Sequence, residues 1–252
     1  MTSWPATETG GASTLRGGRL IELWRFELDL DVERLATLHD LLAPDERARA
    51  ARLRFARDAG RFVAGRGMLR RTLAGIAGCE AADLRIAAGP AGKPYLPDHP
   101  ELRFNAAGSA GVGLLVVATG LELGVDLELS DAPFPGLDVA KQFFCAGELA
   151  ALESLEPGQR PAAFLRCWTR KEAYVKALGD GLRAALDSFE VSLLPGELAE
   201  LRWCAAPGER TRWTLVDCSA LVGGITSAIC YETRPGVRIR VVGAAHELDV
   251  TR

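Results

Sequence analysis

The chain has 252 residues, of which 48% are hydrophobic and 25% are charged, and its 30 Lys+Arg against 33 Asp+Glu give a formal net charge of −3. This balance excludes a globally basic nucleic-acid-binding protein and an acidic disordered chain. The length predicts about one or two domains and is ample to bury a core without disulfides or a structural metal.

The N-terminal segment and the cysteines indicate where the protein works. Residues 1–18 are rich in Ser, Thr, Gly and Ala, so we expect a flexible segment without the apolar core of a secretory signal. The most apolar stretch, 114–119, is far shorter than the ~20 residues that span a bilayer. None of the six cysteines forms a C-x-x-C pair. We therefore expect reduced thiols, a cytoplasmic location and no membrane contact.

Apolar periodicity and turn residues predict the elements in chain order. Alternating apolar residues predict a first strand over 19–30. Helices are predicted over 31–42, from Pro44 onward, and over 58–77 with Gly78 as C-cap. Strands are predicted over 84–88, 102–105, 112–118 and 121–129. Three helices follow over 137–144, 146–154 and 161–178, and then strands over 188–194, 201–205, 212–217, 226–231 and 238–242.

This order of elements predicts an α+β fold. Strands and helices occur in runs rather than in strict alternation, which argues against a doubly wound parallel sheet. A similar order occurs twice, with a seam near Thr119 and Gly120. We therefore predict two similar α+β halves, residues 19–119 and residues 120–252, preceded by the flexible segment 1–18.

Two acidic residues on one predicted strand form the first candidate site. Asp126 and Glu128 are two positions apart, so both carboxylates lie on the same face while Val125 and Leu127 point the other way. A divalent ion such as Mg²⁺ suits two adjacent carboxylates, because it binds carboxylate and phosphate oxygens together. The alternative is a solvated face of an edge strand.

The predicted helix over 161–178 carries the second candidate site. Trp168, Glu172 and Lys176 fall at i, i+4 and i+8, on one side of the helix. Glu172 is a candidate metal ligand or base, and Lys176 a candidate phosphate contact. The alternative is a helix-stabilising Glu–Lys pair of the common i, i+4 type.

Two further groups of basic residues could bind anions. Lys93 lies in a turn between Gly92 and Pro94 and could hold a phosphate, although most turn lysines are merely exposed. Nine arginines could form a basic patch or simply a solvated helix face: Arg47, Arg49, Arg52, Arg54, Arg57, Arg61, Arg66, Arg70 and Arg71. No aromatic, finger or zipper motif accompanies them, so we expect no nucleic-acid partner.

The order and spacing of these motifs resemble the Sfp-type 4′-phosphopantetheinyl transferases. The resemblance covers roughly 52–191. The matching segments are Gly92-Lys93-Pro94, Phe104-Asn105, Gly124-Val125-Asp126-Leu127-Glu128, Phe143-Phe144 with Glu148, Trp168-Thr169-Arg170-Lys171-Glu172-Ala173-Tyr174-Val175-Lys176 and Gly179-Asp180-Gly181-Leu182. The resemblance implies a fold of two halves related by a pseudo-twofold axis, with the active site between them. Such a fold needs no second subunit, so we expect a monomer.

The resemblance also implies an activity and roles for residues. Enzymes of this family move phosphopantetheine from coenzyme A, the co-substrate, to a serine of an apo acyl or peptidyl carrier protein and release 3′,5′-ADP. Asp126, Glu128 and Glu172 would hold Mg²⁺, Glu172 would also be the candidate base, and Lys176 would neutralise the pyrophosphate. The implied coenzyme contacts are Arg61, Lys93, Ser109, Lys171 and Lys176.

The sequence departs from the family pattern after Asn105. The family usually continues x-Ser-His-Ser, whereas this chain has Ala106, Ala107, Gly108 and Ser109. Of the polar side chains in this motif, only the final serine, Ser109, remains. Loss of two hydrogen bonds to coenzyme phosphates predicts weaker coenzyme binding. It also leaves an alternative open, a non-catalytic homologue that binds coenzyme A or a carrier protein without turnover.

Overall fold

The computed structural model describes residues 19–129, 135–179, 185–242 and 247–249. The predicted flexible segment 1–18 lies outside these residues, as do the motif residues 180–182. The described part contains both helices and several sheets, which confirms the predicted mixed α+β architecture.

The elements follow one another along the chain in nearly the predicted order. Those before residue 120 are β1 (Leu20–Glu27), α1 (Val32–His39), α2 (Pro44–Ala51), α3 (Ala56–Ala77), β2 (Ala87–Ala88), β3 (Pro94–Tyr95), β4 (Leu102–Ser109) and β5 (Val112–Thr119). Those after it are β6 (Leu123–Glu128), α4 (Leu137–Phe143), α5 (Ala146–Glu153), α6 (Arg160–Leu178), β7 (Phe189–Val191), β8 (Leu201–Cys204), α7 (Glu209–Arg212), β9 (Trp213–Asp217), β10 (Thr226–Glu232), β11 (Arg238–Val241) and β12 (Glu247–Asp249).

Local sequence signals account for several helix ends. The carboxylate of Asp31 accepts a hydrogen bond from the Arg34 N–H at 2.8 Å and so caps α1. Gly78 ends α3 with a positive φ of 73°, a conformation that favours glycine. The predicted strand over 84–88 is wrong in extent, because only Ala87–Ala88 pairs, with Pro94–Tyr95 across the turn.

The elements form layers around three apolar clusters. A five-stranded sheet has the order β12-β11-β1-β5-β4, and a three-stranded sheet has the order β6-β10-β9. Residues such as Leu73, Phe104 and Leu115 pack between α3 and the five-stranded sheet. Residues of both sheets, among them Leu114 and Val125, pack against each other. A third cluster joins α6 to the opposite face of the three-stranded sheet.

The last strands cross back to the first sheet. β11 pairs in parallel with β1, with Ile239 opposite Ile21, and β12 pairs with β11. The guanidinium of Arg240 also donates to the buried carboxylate of Glu22. A boundary near residue 120 therefore separates the two sheets except for β11 and β12, which complete the sheet built by the N-terminal residues.

Strand β6 and helix α6 approach each other closely at Gly124. A Cβ atom at this position would lie 2.2 Å from the Ala173 carbonyl oxygen and 2.4 Å from the Ala177 nitrogen. Backbone atoms cannot move aside as a flexible side chain can. Only glycine therefore allows β6, the strand with Asp126 and Glu128, to lie directly on the helix with Glu172 and Lys176.

Replacing this glycine tests how tightly the two elements are joined. We expect Gly124→Ala to lower the free energy of unfolding by about 1–3 kcal/mol or more, because the added methyl group overpacks the contact. Gly158→Ala is the matched control, since a Cβ there meets nothing within 4 Å. Urea unfolding of both variants measures the difference, and equal stabilities would contradict the close approach.

Candidate active site

The three carboxylates and the lysine predicted from the sequence lie at the contact between β6 and α6. Asp126 is only 6% exposed, which rules out the solvated strand face. The Lys176 ammonium donates to Asp126 Oδ1 at 2.6 Å. Lys176 thus bonds across to β6, and its side chain remains 28% exposed. Glu172 and Glu128 are both partly exposed at the same place.

Burial and crowding of charge set the electrostatics of this site. Burial raises the pKa of Asp126 to about 6, although the neighbouring Lys176 ammonium opposes the rise. The negative charges of Glu172 and Glu128 contribute to the same rise. The carboxylates of Asp126, Glu128 and Glu172 repel one another. A cation bound near them would reduce this repulsion.

The residues present fit a magnesium ion. Asp126 Oδ2 is buried and has no hydrogen-bond partner among the described residues. As the side chains stand, no group of three or more His, Cys, Asp or Glu residues in the described ranges is arranged to hold a metal ion. Mg²⁺ usually binds through one or two carboxylates together with substrate phosphates and waters, so a closed cage is not required. Asp126 offers one such carboxylate oxygen, and the charges of Glu128 and Glu172 act on the same carboxylate.

The hairpin between β4 and β5 approaches the end of β6. Ser109 Oγ donates to Glu128 Oε2 at 2.8 Å. The Arg61 guanidinium, near the start of α3, donates to both oxygens of Asp29 at 2.6 and 2.7 Å. This hydrogen-bonded guanidinium lowers the pKa of Asp29. Gly111, in the same hairpin, lies directly against this ion pair.

Lys93 joins the turn before β3 to the C-terminal part of the chain. Its ammonium donates to Glu122 Oε2 at 2.7 Å and to the Ala177 carbonyl at 2.8 Å. Burial alone would raise the pKa of Glu122, but the bonds from Lys93 and Arg103 hold it below its usual value. Lys93 also lines a cavity of about 290 Å³ together with Tyr95. The ammonium is thus committed to two acceptors within the protein, Glu122 and the Ala177 carbonyl.

Lys171 is a buried structural cation. Its side chain is 0% exposed, and its ammonium lies 2.8 Å from the equally buried Glu148 carboxylate. It also donates to the carbonyls of Leu186 and Phe189 at 2.7 and 2.8 Å. This burial argues against the predicted contact of Lys171 with coenzyme A, because the ammonium has no surface to offer a ligand.

The arginine cluster contains two side chains that pair with a buried carboxylate and several that lie on the surface. Arg66 and Arg70 both bond to the buried Glu46, at 2.6 and 2.5 Å. Arg49 lies over the Phe62 ring, 5.1 Å from its centre. The remaining contacts join Arg47 to the Asp40 carbonyl, Arg54 to the Phe55 ring, Arg57 to Asp58 and Arg71 to Met68. Arg66 and Arg70 are therefore structural. Five arginines remain exposed, which is compatible with either a solvated helix face or a basic patch: Arg47, Arg49, Arg52, Arg54 and Arg57.

Sequence reasoning gave Asn105 no role, although it belongs to a quoted motif. Its side-chain Oδ1 accepts a hydrogen bond from the Val125 N–H at 2.9 Å, in the core. The amide thus joins β4 to β6, the neighbouring strands of the two sheets. The sequence did contain a sign of this role, since Asn105 is a polar residue within an apolar strand. A buried polar side chain requires a hydrogen-bond partner.

The burial of Lys171 gives a prediction. We expect Lys171→Met to lower the free energy of unfolding by about 3–5 kcal/mol, because Glu148 would be left as an uncompensated buried charge. Lys141→Met is the control, since Lys141 forms an exposed pair with Asp138 and should change stability little. Denaturant unfolding compares the two. If Lys171→Met lost little stability but bound coenzyme A more weakly, the original prediction that Lys171 contacts coenzyme A would be supported.

Two models of one protein family match the sequence of this chain. Residues 31–119 match the family model described as 4′-phosphopantetheinyl transferase, N-terminal. Residues 122–223 match the model of the 4′-phosphopantetheinyl transferase superfamily. The second match includes β6 and α6, the two elements that carry the carboxylates and Lys176.

Curated relatives match over most of the chain. It is 38% identical over 200 residues to the 4′-phosphopantetheinyl transferase HetI of Nostoc sp., covering 78% of this chain and 81% of that protein. It is 30% identical to 4′-phosphopantetheinyl transferase Sfp of Bacillus subtilis, with 60% and 66% covered. A human relative, L-aminoadipate-semialdehyde dehydrogenase-phosphopantetheinyl transferase, is 28% identical, with 61% and 53% covered.

The helices of the described residues are too short or too polar to cross a bilayer. The two family models together cover most of the chain, and the HetI relative aligns with 78% of it. The chain therefore belongs to the 4′-phosphopantetheinyl transferase superfamily and is an enzyme of that type.

Proposed function

We propose that Asp126, Glu128 and Glu172 hold Mg²⁺ at the site where this transferase moves 4′-phosphopantetheine from coenzyme A to a serine of an apo carrier protein. One observation carries the proposal: the buried Asp126 carboxylate bonds to Lys176 through one oxygen, while its other oxygen lacks a partner among the described residues and the charges of Glu128 and Glu172 act on it. Bound there, the ion would supply positive charge to the coenzyme pyrophosphate.

The reaction exchanges one phosphorus–oxygen bond for another. The carrier serine oxygen bonds to the phosphorus that bears the pantetheine arm, and the bond from that phosphorus to the departing 3′,5′-ADP breaks. Glu172 is the candidate acceptor of the serine proton, directly or through a water molecule. Lys176, still partly exposed beside Asp126, would neutralise charge on the leaving phosphate. Positioning and charge neutralisation supply most of the rate in such transfers.

The coenzyme would lie between residues of both sheets. Ser109 bonds to Glu128, and Gly111 of the following hairpin lies against Arg61. Lys93 and Tyr95 line the same cavity. These positions support the proposal that the 3′-phosphate and adenine end binds on the side of the N-terminal residues. The Arg61 guanidinium already donates to Asp29. A phosphate could bind to Arg61 only if it shared the guanidinium with Asp29 or displaced Asp29 from it.

We further propose that the halves are related by a pseudo-twofold axis and that the protein acts as a cytoplasmic monomer. In support, each of the two main sheets packs against one long helix, α3 or α6. The candidate groups also come from both sheets of a single chain, Ser109 from one and Asp126 from the other. No second copy is needed to assemble them.

A non-catalytic binding homologue is the competing function. The chain has Ala107 and Gly108 where the family pattern has Ser and His, which removes two hydrogen-bonding side chains from β4. Against this alternative, Lys176 and Asp126 form a direct bond, and Glu172 lies on the same site. These charged groups at one site support turnover rather than binding alone.

Intact-mass spectrometry of carrier proteins tests the proposed reaction. An apo acyl carrier protein and an apo peptidyl carrier protein would each be incubated with the enzyme, coenzyme A and Mg²⁺, with EDTA in a parallel sample. We expect a Mg²⁺-dependent gain of one phosphopantetheine on at least one carrier. Coenzyme binding without any mass gain would support the binding homologue.

Single substitutions test the residue assignments. Glu172→Gln should lower the rate about 10²–10⁴-fold, as expected when a general base is lost. Asp126→Asn should abolish the response to added Mg²⁺, because it removes the central carboxylate. Glu156→Gln, at an exposed position, is the matched control and should leave the rate unchanged. A fully active Glu172→Gln variant would contradict the assignment of Glu172 as the base.

A further inference from the structure

Side chains on one face of β4 contact β6 along its whole length. Arg103, Asn105 and Ser109 are separated by even numbers of residues and therefore lie on the same face. Arg103 donates to the Glu122 carboxylate at 2.5 Å, just before β6 begins. Asn105 accepts the Val125 N–H in the middle of the strand, and Ser109 bonds to Glu128 at its end. β4 thus fixes the position of the strand that carries two of the three candidate metal ligands.

The bond from Ser109 is the one that reaches a candidate ligand directly. The distance of 2.8 Å from Ser109 Oγ to Glu128 Oε2 is normal for an O–H···O hydrogen bond. Both groups are partly buried, so water competes less than it would on an open surface. A hydroxyl that holds one carboxylate oxygen restricts rotation of the carboxylate and directs the other oxygen.

Ser109 is itself held in place by the hairpin that follows it. Ala110 and Gly111 both have positive φ, 41° and 95°, as in the two-residue turns that join twisted strands most tightly. The Gly111 carbonyl accepts the Leu28 N–H at 2.7 Å. A Cβ on Gly111 would lie 2.5 Å from Asp29 Oδ2, so this turn also packs against the Arg61–Asp29 ion pair.

We propose that Ser109 is a positioning residue, which orients the Glu128 carboxylate for Mg²⁺ instead of contacting the phosphates of coenzyme A. The inference rests on the proposed function, because it requires Glu128 to be a metal ligand. Hydrogen-bonding partners that orient metal-binding groups are a general feature of such sites. The hydroxyl already has an acceptor in Glu128, whereas a phosphate contact would require it to turn away.

Two variants and one control separate these roles. Ser109→Ala removes the hydroxyl, and Ser109→Thr keeps a hydroxyl on a residue that strands favour. Ser154→Ala is the control, because it removes a serine hydroxyl bonded to the Ala151 carbonyl at the end of α5. Binding of Mn²⁺ to the whole protein, without coenzyme, would be followed by electron paramagnetic resonance. Carrier modification would give the Mg²⁺ concentration for half-maximal rate and the KM for coenzyme A.

We expect Ser109→Ala to weaken Mn²⁺ binding and to raise the half-activating Mg²⁺ concentration by about 10-fold or more, the lower end of the range for such partners. The KM for coenzyme A at saturating Mg²⁺ should change less than about twofold, since no coenzyme contact is lost. Ser109→Thr should have the metal affinity of the wild-type protein. Ser154→Ala should match the wild-type protein in both metal affinity and KM.

The contrary results are distinct from one another. Unchanged Mn²⁺ affinity in Ser109→Ala, with a raised KM for coenzyme A, would overturn the inference and support a phosphate contact. Unchanged values of both quantities would overturn it as well. If the wild-type protein neither binds Mn²⁺ nor requires Mg²⁺, the proposed metal ligands are wrong. The proposed role of Ser109 is then wrong as well.

Discussion

Direct backbone contact between β6 and α6 determines the geometry of the whole site. At Gly124 the strand lies against the carbonyl of Ala173 and the nitrogen of Ala177 without an intervening side chain. Any residue with a Cβ would push the strand away from the helix. The distance between Asp126 on the strand and Lys176 on the helix, 2.6 Å between their charged atoms, depends on this contact.

The direction in which α6 presents its side chains is fixed by charge buried on its other side. Successive residues of an α-helix differ by about 100° in direction, so anchoring one residue orients the next. Lys171 is held by Glu148 and by two backbone carbonyls in the core. Arg170 bonds to Ser192 and to Asp217. With these two residues held, Glu172 faces the site, and rotating the helix would expose unpaired buried charges at large cost.

Periodicity was sufficient to predict helices α1 to α6, most strands and the mixed fold, because it reports which face of an element is buried. The short helix α7 was not predicted. The pair Asp126 and Glu128 was also predictable, since residues two apart on a strand share a face. The role of Lys171 was not predictable, because the motif places it beside Glu172 whereas its partner Glu148 is 23 positions away in the sequence. Lys93 presents the same difficulty, since its acceptors at Glu122 and Ala177 are distant in sequence.

The return of β11 and β12 to the first sheet has a consequence for biosynthesis. β1 leaves the ribosome more than two hundred residues before its parallel neighbour β11, while domains made early in translation generally fold first. In this protein one edge of β1 has no partner strand until β11 has been synthesised. Glu22 likewise has no Arg240 to pair with until then. The nascent chain therefore carries an open, aggregation-prone strand edge through most of its synthesis.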